Sequence, residues 1–167
     1  MTAMELKILD AIQVLRTPVG DTIMCFFTKL GNAGMLWIAI AVVLLAFPKT
    51  RKCGMVVAVS LCIEVLLCNV ILKNAVGRIR PCDVNTSIRL LVSRPTDFSF
   101  PSGHTASSFA AAAALYFSGM KTLWKPALAV AAIIAFSRMY LYVHYPTDIL
   151  GGIVIGVLSG YIGKCIT

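Results

Sequence analysis

Long apolar runs interrupted by short basic loops constrain this chain more than any other feature. Candidate membrane spans fall at about 32–48, 53–73, 102–120, 123–140 and 147–165, several with apolar cores shorter than the usual ~20 residues. Hydrophobic residues make up 59% of the chain and charged residues 13%, too few charges to coat a soluble domain. Ala- and Gly-rich stretches in the third span (SSFAAAAALYFSG) and the fifth (GGIVIGVLSG) suit close helix packing in lipid. Ahead of the spans, residues 5–16 place Ile8, Leu9, Ile12 and Leu15 on one helical stripe, with Lys7 and Asp10 opposite. That pattern suits an amphipathic interfacial helix, which Pro18 ends. The expected architecture is an all-α integral membrane bundle of five transmembrane helices, six if residues 17–30 dip inward. Residues 1–31 form the interfacial region and 32–167 the transmembrane core.

Charge placement orients this bundle. Lys49, Arg51 and Lys52, then Lys121 and Lys125, then Lys164 fall on one side of a five-span chain, as expected of cytoplasmic loops. Arg78, Arg80, Arg89, Arg94 and Arg138 fall on the other side, against that rule, and need another explanation. The net charge of +8 does not imply nucleic acid, because the cations form no single run with interleaved aromatics. Six cysteines show no CxxC pair and no disulfide-scaffold spacing, so neither a structural metal nor a disulfide framework is expected. The N-terminus shows no apolar run with a small-residue cleavage site, so no removed signal peptide is expected.

Three stretches on the arginine-rich side carry chemistry: KNAVGRIRP (73–81), FPSGHTASS (100–108) and SRMYLYVHYPTD (137–148). Each lies where an apolar span meets water, and together they hold both histidines of the chain. Arg80 and Arg138 offer planar forks that match phosphate oxygens, and Lys73 adds a point charge. Ser102 is a candidate helix N-cap, and the free N–H groups of the turn it opens point at an anion. Gly103 lets the backbone approach a ligand closely. His144 and Asp148 are four apart, so the carboxylate can fix the ring tautomer and leave the other nitrogen as nucleophile. His104 is then the candidate general acid.

These residues resemble the signature of the type 2 phosphatidic acid phosphatase (PAP2) superfamily. Its Lys-x6-Arg-Pro block matches Lys73, Arg80 and Pro81, and its Pro-Ser-Gly-His block matches Pro101, Ser102, Gly103 and His104. Its Ser-Arg-x5-His-x3-Asp block matches Ser137, Arg138, His144 and Asp148. With the spans around them, the likeness covers about residues 33–165. It implies attack on phosphorus by His144 to form a phosphohistidine, with Asp148 orienting the ring and His104 protonating the leaving oxygen. Lys73, Arg80, Ser102, Gly103 and Arg138 would hold the phosphoryl oxygens. It implies no cofactor and no metal, and the blocks supply only one carboxylate, too few for a two-metal site. The implied partner is a lipid phosphate in the membrane, with no obligate protein partner. Compact size and an outward site favour undecaprenyl pyrophosphate, with phosphatidylglycerophosphate, phosphatidic acid or lipid A as alternatives, handled by hydrolysis or phosphotransfer. The expected location is the plasma membrane, with the site on the extracytoplasmic side. A different class of protein, a transporter with an anion-capturing mouth, is the rival.

Other polar residues have plainer expectations. Glu64 lies inside the second span, nine residues before Lys73, which turns it to roughly the opposite face of a regular α-helix and favours a hydrogen-bonded or protonated packing role over catalysis. Arg78 either joins the site, binds a lipid headgroup or is a solvated loop charge. Tyr140, Tyr142 and Tyr145 suit an aromatic belt at the membrane surface first and substrate contacts second.

Overall fold

The structure, a computed structural model, describes residues 2–167. Helix α1 (Thr2–Val14) is followed by α2 (Pro18–Leu30), whose N-cap Thr17 accepts from the Gly20 N–H and whose first helical residue is Pro18. A 3-10 turn (Asn32–Gly34) leads into α3 (Met35–Ala46). Next come α4 (Arg51–Glu64), a π-helical segment (Val65–Leu72), and the short α5 (Lys73–Val76) and α6 (Pro81–Val84). Three longer helices complete the chain: α7 (Gly103–Phe117), α8 (Trp124–Tyr140) and α9 (Pro146–Ile166). The described residues are helix, turn and loop without β-strand.

α7 is the axis of the bundle, packed against α9, α8 and α4. Its alanines and the glycines of α9 explain how close those backbones come. A Cβ added at Gly152 would stand 2.8 Å from the Ser102 carbonyl oxygen, one at Gly156 2.5 Å from that of Ala106, and one at Gly160 2.6 Å from the Ala113 Cβ. Those glycines recur every four residues, so they share one face of α9, and only that face can touch α7 backbone to backbone. The core beside them holds Trp37, Val57, Leu115 and Ile134, and Trp37 Nε1 donates to Ser108 Oγ at 2.9 Å to tie α3 to α7.

Among the described residues two helical runs are long and apolar enough to cross a membrane, the one starting at Arg51 and Pro146–Ile166. α2 and the segment Asn32–Ala46 qualify only as a pair, bent by 48° at their break. The expected spans at 102–120 and 123–140 correspond to α7, of 15 residues, and α8, of 17. At 1.5 Å per residue α7 is roughly 22 Å long, short of the ~30 Å hydrocarbon layer. Surrounded by other helices, it tolerates the polar residues that shorten its apolar run.

Helix α1 departs from its expected stripe. Leu9 is fully buried, but Ile8 and Leu15 are exposed, and Glu5 is 4% exposed. The helix docks on protein: Leu9 packs with Tyr140, Tyr142 and Tyr145, and Gln13 Nε2 donates to the Tyr140 carbonyl at 2.9 Å. The three tyrosines are buried under this helix rather than arrayed as a belt.

Candidate active site

All three chemical blocks meet at one end of the bundle. Lys73 ends the π-helical segment, and Gly77, left-handed at φ +59, stops α5 and turns the chain back toward Arg80. Gly103 and His104 open α7, Arg138 lies in the last turn of α8, His144 sits in the turn just ahead of α9, and Asp148 is in the first turn of α9. Lys73, Arg80, Gly103, His104, Arg138 and His144 line a single cavity of about 790 Å³. Apolar Ile38, Leu61 and Val65 line the same cavity.

Arg80 is 2% exposed and anchored on several sides. Its Nε donates to the Asp97 carbonyl at 2.8 Å, its Nη1 to the Val143 carbonyl at 2.8 Å, and its Nη2 to Asp97 Oδ1 at 2.6 Å. Nη1 also stands 3.1 Å from His144 Nε2. A guanidinium only donates, so Nε2 accepts and the neutral ring carries its proton on Nδ1. That proton faces Asp148 Oδ2 at 3.5 Å, and Nδ1 has no closer partner. Burial, with the charges of Arg80 and Arg138, pulls the His144 imidazole down to about 3 against the raising influence of Asp148. The ring is therefore neutral at neutral pH, with Nε2 bare and turned toward the cations.

The turn that carries His144 is held in an unusual backbone state. Tyr142, fully buried, has φ +60, a left-handed conformation that costs a non-glycine residue of order 1–3 kcal/mol. Its hydroxyl donates to Asp10 Oδ1 at 2.7 Å, so α1 helps to hold it.

His104 Nε2 lies 2.9 Å from Asn32 Oδ1. Asn32 reaches it because the 3-10 turn puts Ala33 (φ +50) and Gly34 (φ +67) in left-handed conformations. Arg138, 5% exposed, donates from Nη1 to Thr28 Oγ1, while its Nε has no partner. A buried guanidinium N–H without an acceptor is costly, and a phosphate oxygen would satisfy it.

Two expectations are corrected. Ser102 caps α7 as anticipated, accepting from the Thr105 N–H at 3.4 Å, but its hydroxyl is fully buried between α7 and α9 and does not line the cavity. Its hydroxyl fixes the turn while Gly103 and His104 present themselves to a ligand. Glu64 lines the same cavity as Lys73 instead of facing away. The eight residues between them are the π-helical segment, whose i→i+5 bonding is seen where the Lys73 N–H reaches the Cys68 carbonyl. Wider turns shift the helical phase, so a count at 3.6 residues per turn points the wrong way.

Sequence reasoning also missed the acidic partners of the cations. Asp97 bridges Lys73 and Arg80, and although burial opposes ionisation, the hydrogen bond from Lys73 and the charges of Arg80 and Lys73 hold its carboxyl at about 2. Arg78, one of three open readings, pairs with Asp148 Oδ1 and Glu5 Oε2, each at 2.6 Å. The available signal was charge balance: several arginines beside apolar spans require counter-charges, and acidic residues are few.

A family model described as the PAP2 superfamily matches residues 53–167. An undecaprenyl-diphosphatase of Sulfolobus acidocaldarius is 33% identical over 134 residues, 80% of this chain but only 64% of that protein's length. The undecaprenyl-diphosphatase BcrC of Bacillus subtilis is 29% identical over 161 residues, 95% of this chain and 82% of its own. The crystal structure of a transmembrane PAP2-type phosphatidylglycerolphosphate phosphatase from Bacillus subtilis superimposes with a TM-score of 0.81 at 28% identity, over 99% of this chain and 85% of that one. Apolar helices and likeness to a transmembrane phosphatase make this a membrane protein. With its family model matched across all three blocks that meet at the cavity, this chain belongs to the PAP2 superfamily.

Proposed function

We propose that this protein is a metal-independent lipid-phosphate phosphatase that works through a phosphohistidine on His144. The observation that carries the reading is the convergence of Lys73, Arg80, His104, Arg138 and His144 on one cavity that continues into apolar Ile38, Leu61 and Val65. Such a cavity suits an anionic headgroup on a hydrocarbon chain. In the first step His144 Nε2 attacks phosphorus and the bond to the leaving oxygen breaks, with His104 supplying the proton that oxygen needs. Lys73, Arg80, Arg138 and the N–H groups at Gly103 and His104 balance charge on the phosphoryl oxygens as it builds. Asp148 offsets the positive charge that develops on the His144 ring. Water then attacks the phosphohistidine, His104 takes its proton, the P–N bond breaks and inorganic phosphate leaves.

Undecaprenyl pyrophosphate is the substrate we favour, supported by the names of two relatives that align over most of this chain. Phosphatidylglycerophosphate is the second reading, favoured by the structural likeness to a phosphatase of that lipid. Five membrane crossings would place Arg51, Lys121, Lys125 and Lys164 on the cytoplasmic side and the cavity at the outer face of the plasma membrane. Substrate would then enter sideways from the outer leaflet. The test is phosphate release by purified protein in detergent with EDTA, across undecaprenyl pyrophosphate, phosphatidylglycerophosphate, phosphatidic acid and lipid A. Wild-type protein is expected to turn over and His144→Ala is not. Faster release from the glycerolipids would reverse the substrate choice, and binding without release would favour a transporter.

A further inference from the structure

We propose that Arg78, backed by Glu5 of α1, is a positioning residue that holds Asp148 against His144, which makes the N-terminal helix part of the active site. The inference rests on the phosphatase reading for its kinetic consequences and on geometry alone for its structural ones.

Asp148 is fully buried, and its carboxylate accepts from three donors. Ser99 Oγ at 2.5 Å and the Tyr145 N–H at 2.8 Å take Oδ2, and Arg78 Nη1 at 2.6 Å takes Oδ1. Oδ2 is also the atom facing His144 Nδ1. Ser99 and Tyr145 alone hold one edge of the carboxylate, and Arg78 fixes the other, so the group cannot rotate away from the ring. Arg78 is itself locked. Its guanidinium carbon lies 3.9 Å over the Tyr145 ring, and its Nη2 donates to Glu5 Oε2 at 2.6 Å. Glu5 Oε1 in turn accepts from the Thr147 hydroxyl at 2.5 Å and the Thr147 N–H at 3.2 Å, beside Asp148 on the first turn of α9.

Charge gives Glu5 a second role. Asp148 and Arg78 alone would cancel, leaving the imidazole no net negative neighbour when attack on phosphorus turns it cationic. Glu5 restores one negative charge to the group. An arginine fork that gives one Nη to each of two carboxylates is rigid as well as charged, and a lysine cannot reproduce it.

The test uses the full chain in detergent, with undecaprenyl pyrophosphate as the kinetic probe and Arg78→Gln, Arg78→Lys and Glu5→Gln as variants. Arg78→Gln is expected to lower kcat on the order of 10–100-fold, the effect of a small misplacement of a reacting group, with KM within about threefold. Arg78→Lys recovers part of that loss, and Glu5→Gln lowers kcat by about three- to tenfold. A second readout needs no turnover. In a His104→Asn background the ¹⁵N spectrum reports His144 alone, with Nδ1 protonated and Nε2 bare, and adding Arg78→Gln should mix the tautomers. Unchanged kcat with only a lowered Tm, a raised KM alone, or an unaltered tautomer would overturn the proposal. If wild-type protein releases no phosphate from any lipid, the functional reading fails, and the tautomer comparison still decides the role of Arg78.

Discussion

Asp97 occupies donors that a phosphate would need. It bridges Lys73 and Arg80, the two cations of the first signature block, and its side chain is 51% exposed. Replacing it by asparagine should therefore tighten phosphate binding. Its carboxyl is lowered from 3.8 to about 2 even though burial opposes ionisation, a net stabilisation of roughly 2 kcal/mol at ~1.36 kcal/mol per pH unit. Half-exposure to solvent screens the pair, and discounting by about half leaves on the order of 1 kcal/mol that an incoming phosphate must replace. That corresponds to about fivefold in affinity. The assay is inhibition of lipid hydrolysis by inorganic phosphate, which reads the cradle without the lipid tail. Asp97→Asn should lower the inhibition constant about fivefold, with the difference shrinking at high salt. An unchanged or higher constant would mean that Asp97 assists binding by holding Lys73 and Arg80 in place, and the competition argument would be wrong.

Other perturbations test separate parts of the structure. His144→Ala should remove phosphate release, with kcat lowered at least about 10³-fold, while circular dichroism and Tm show a folded protein. Asn32→Ala frees His104 from its 2.9 Å partner and should lower kcat by roughly tenfold, more for substrates with poorer leaving groups, measured across a series of esters. Gly156→Leu drives a side chain into the α7 backbone at a site where even a Cβ would stand 2.5 Å from a carbonyl oxygen. It should cost at least about 1–3 kcal/mol, read as a drop in Tm, and disturb α7, which carries His104 in its first turn.

The chemistry of the site was more legible than its framework. Arg80, His104, Arg138 and His144 stand in ordered blocks whose residue types and spacing can be read before any folding is considered, and the structure brings them to one cavity. Glu64 was expected opposite Lys73 and instead lines the same cavity, because a π-helical segment leaves no simple mark in an apolar run such as VLLCNVIL. Ser102 shows a different limit. A serine before a helix reads equally as cap or ligand, and only its packing against α9 separates the two. Glu5 was invisible as a site residue because its partner Arg78 lies 73 positions away, and no local pattern encodes such a pairing. Spans were legible where much of a long apolar helix faces outward, as in α9. They were less so for α7, which is covered by protein and therefore free to be polar.

A covalent bond between His144 and phosphorus can be caught by rapid-quench trapping with ³²P-labelled lipid substrate. The expected result is an acid-labile, base-stable label on Nε2 of His144, formed before free phosphate appears and missing from His144→Ala. Turnover with no labelled enzyme, or with the label on another residue, would contradict it.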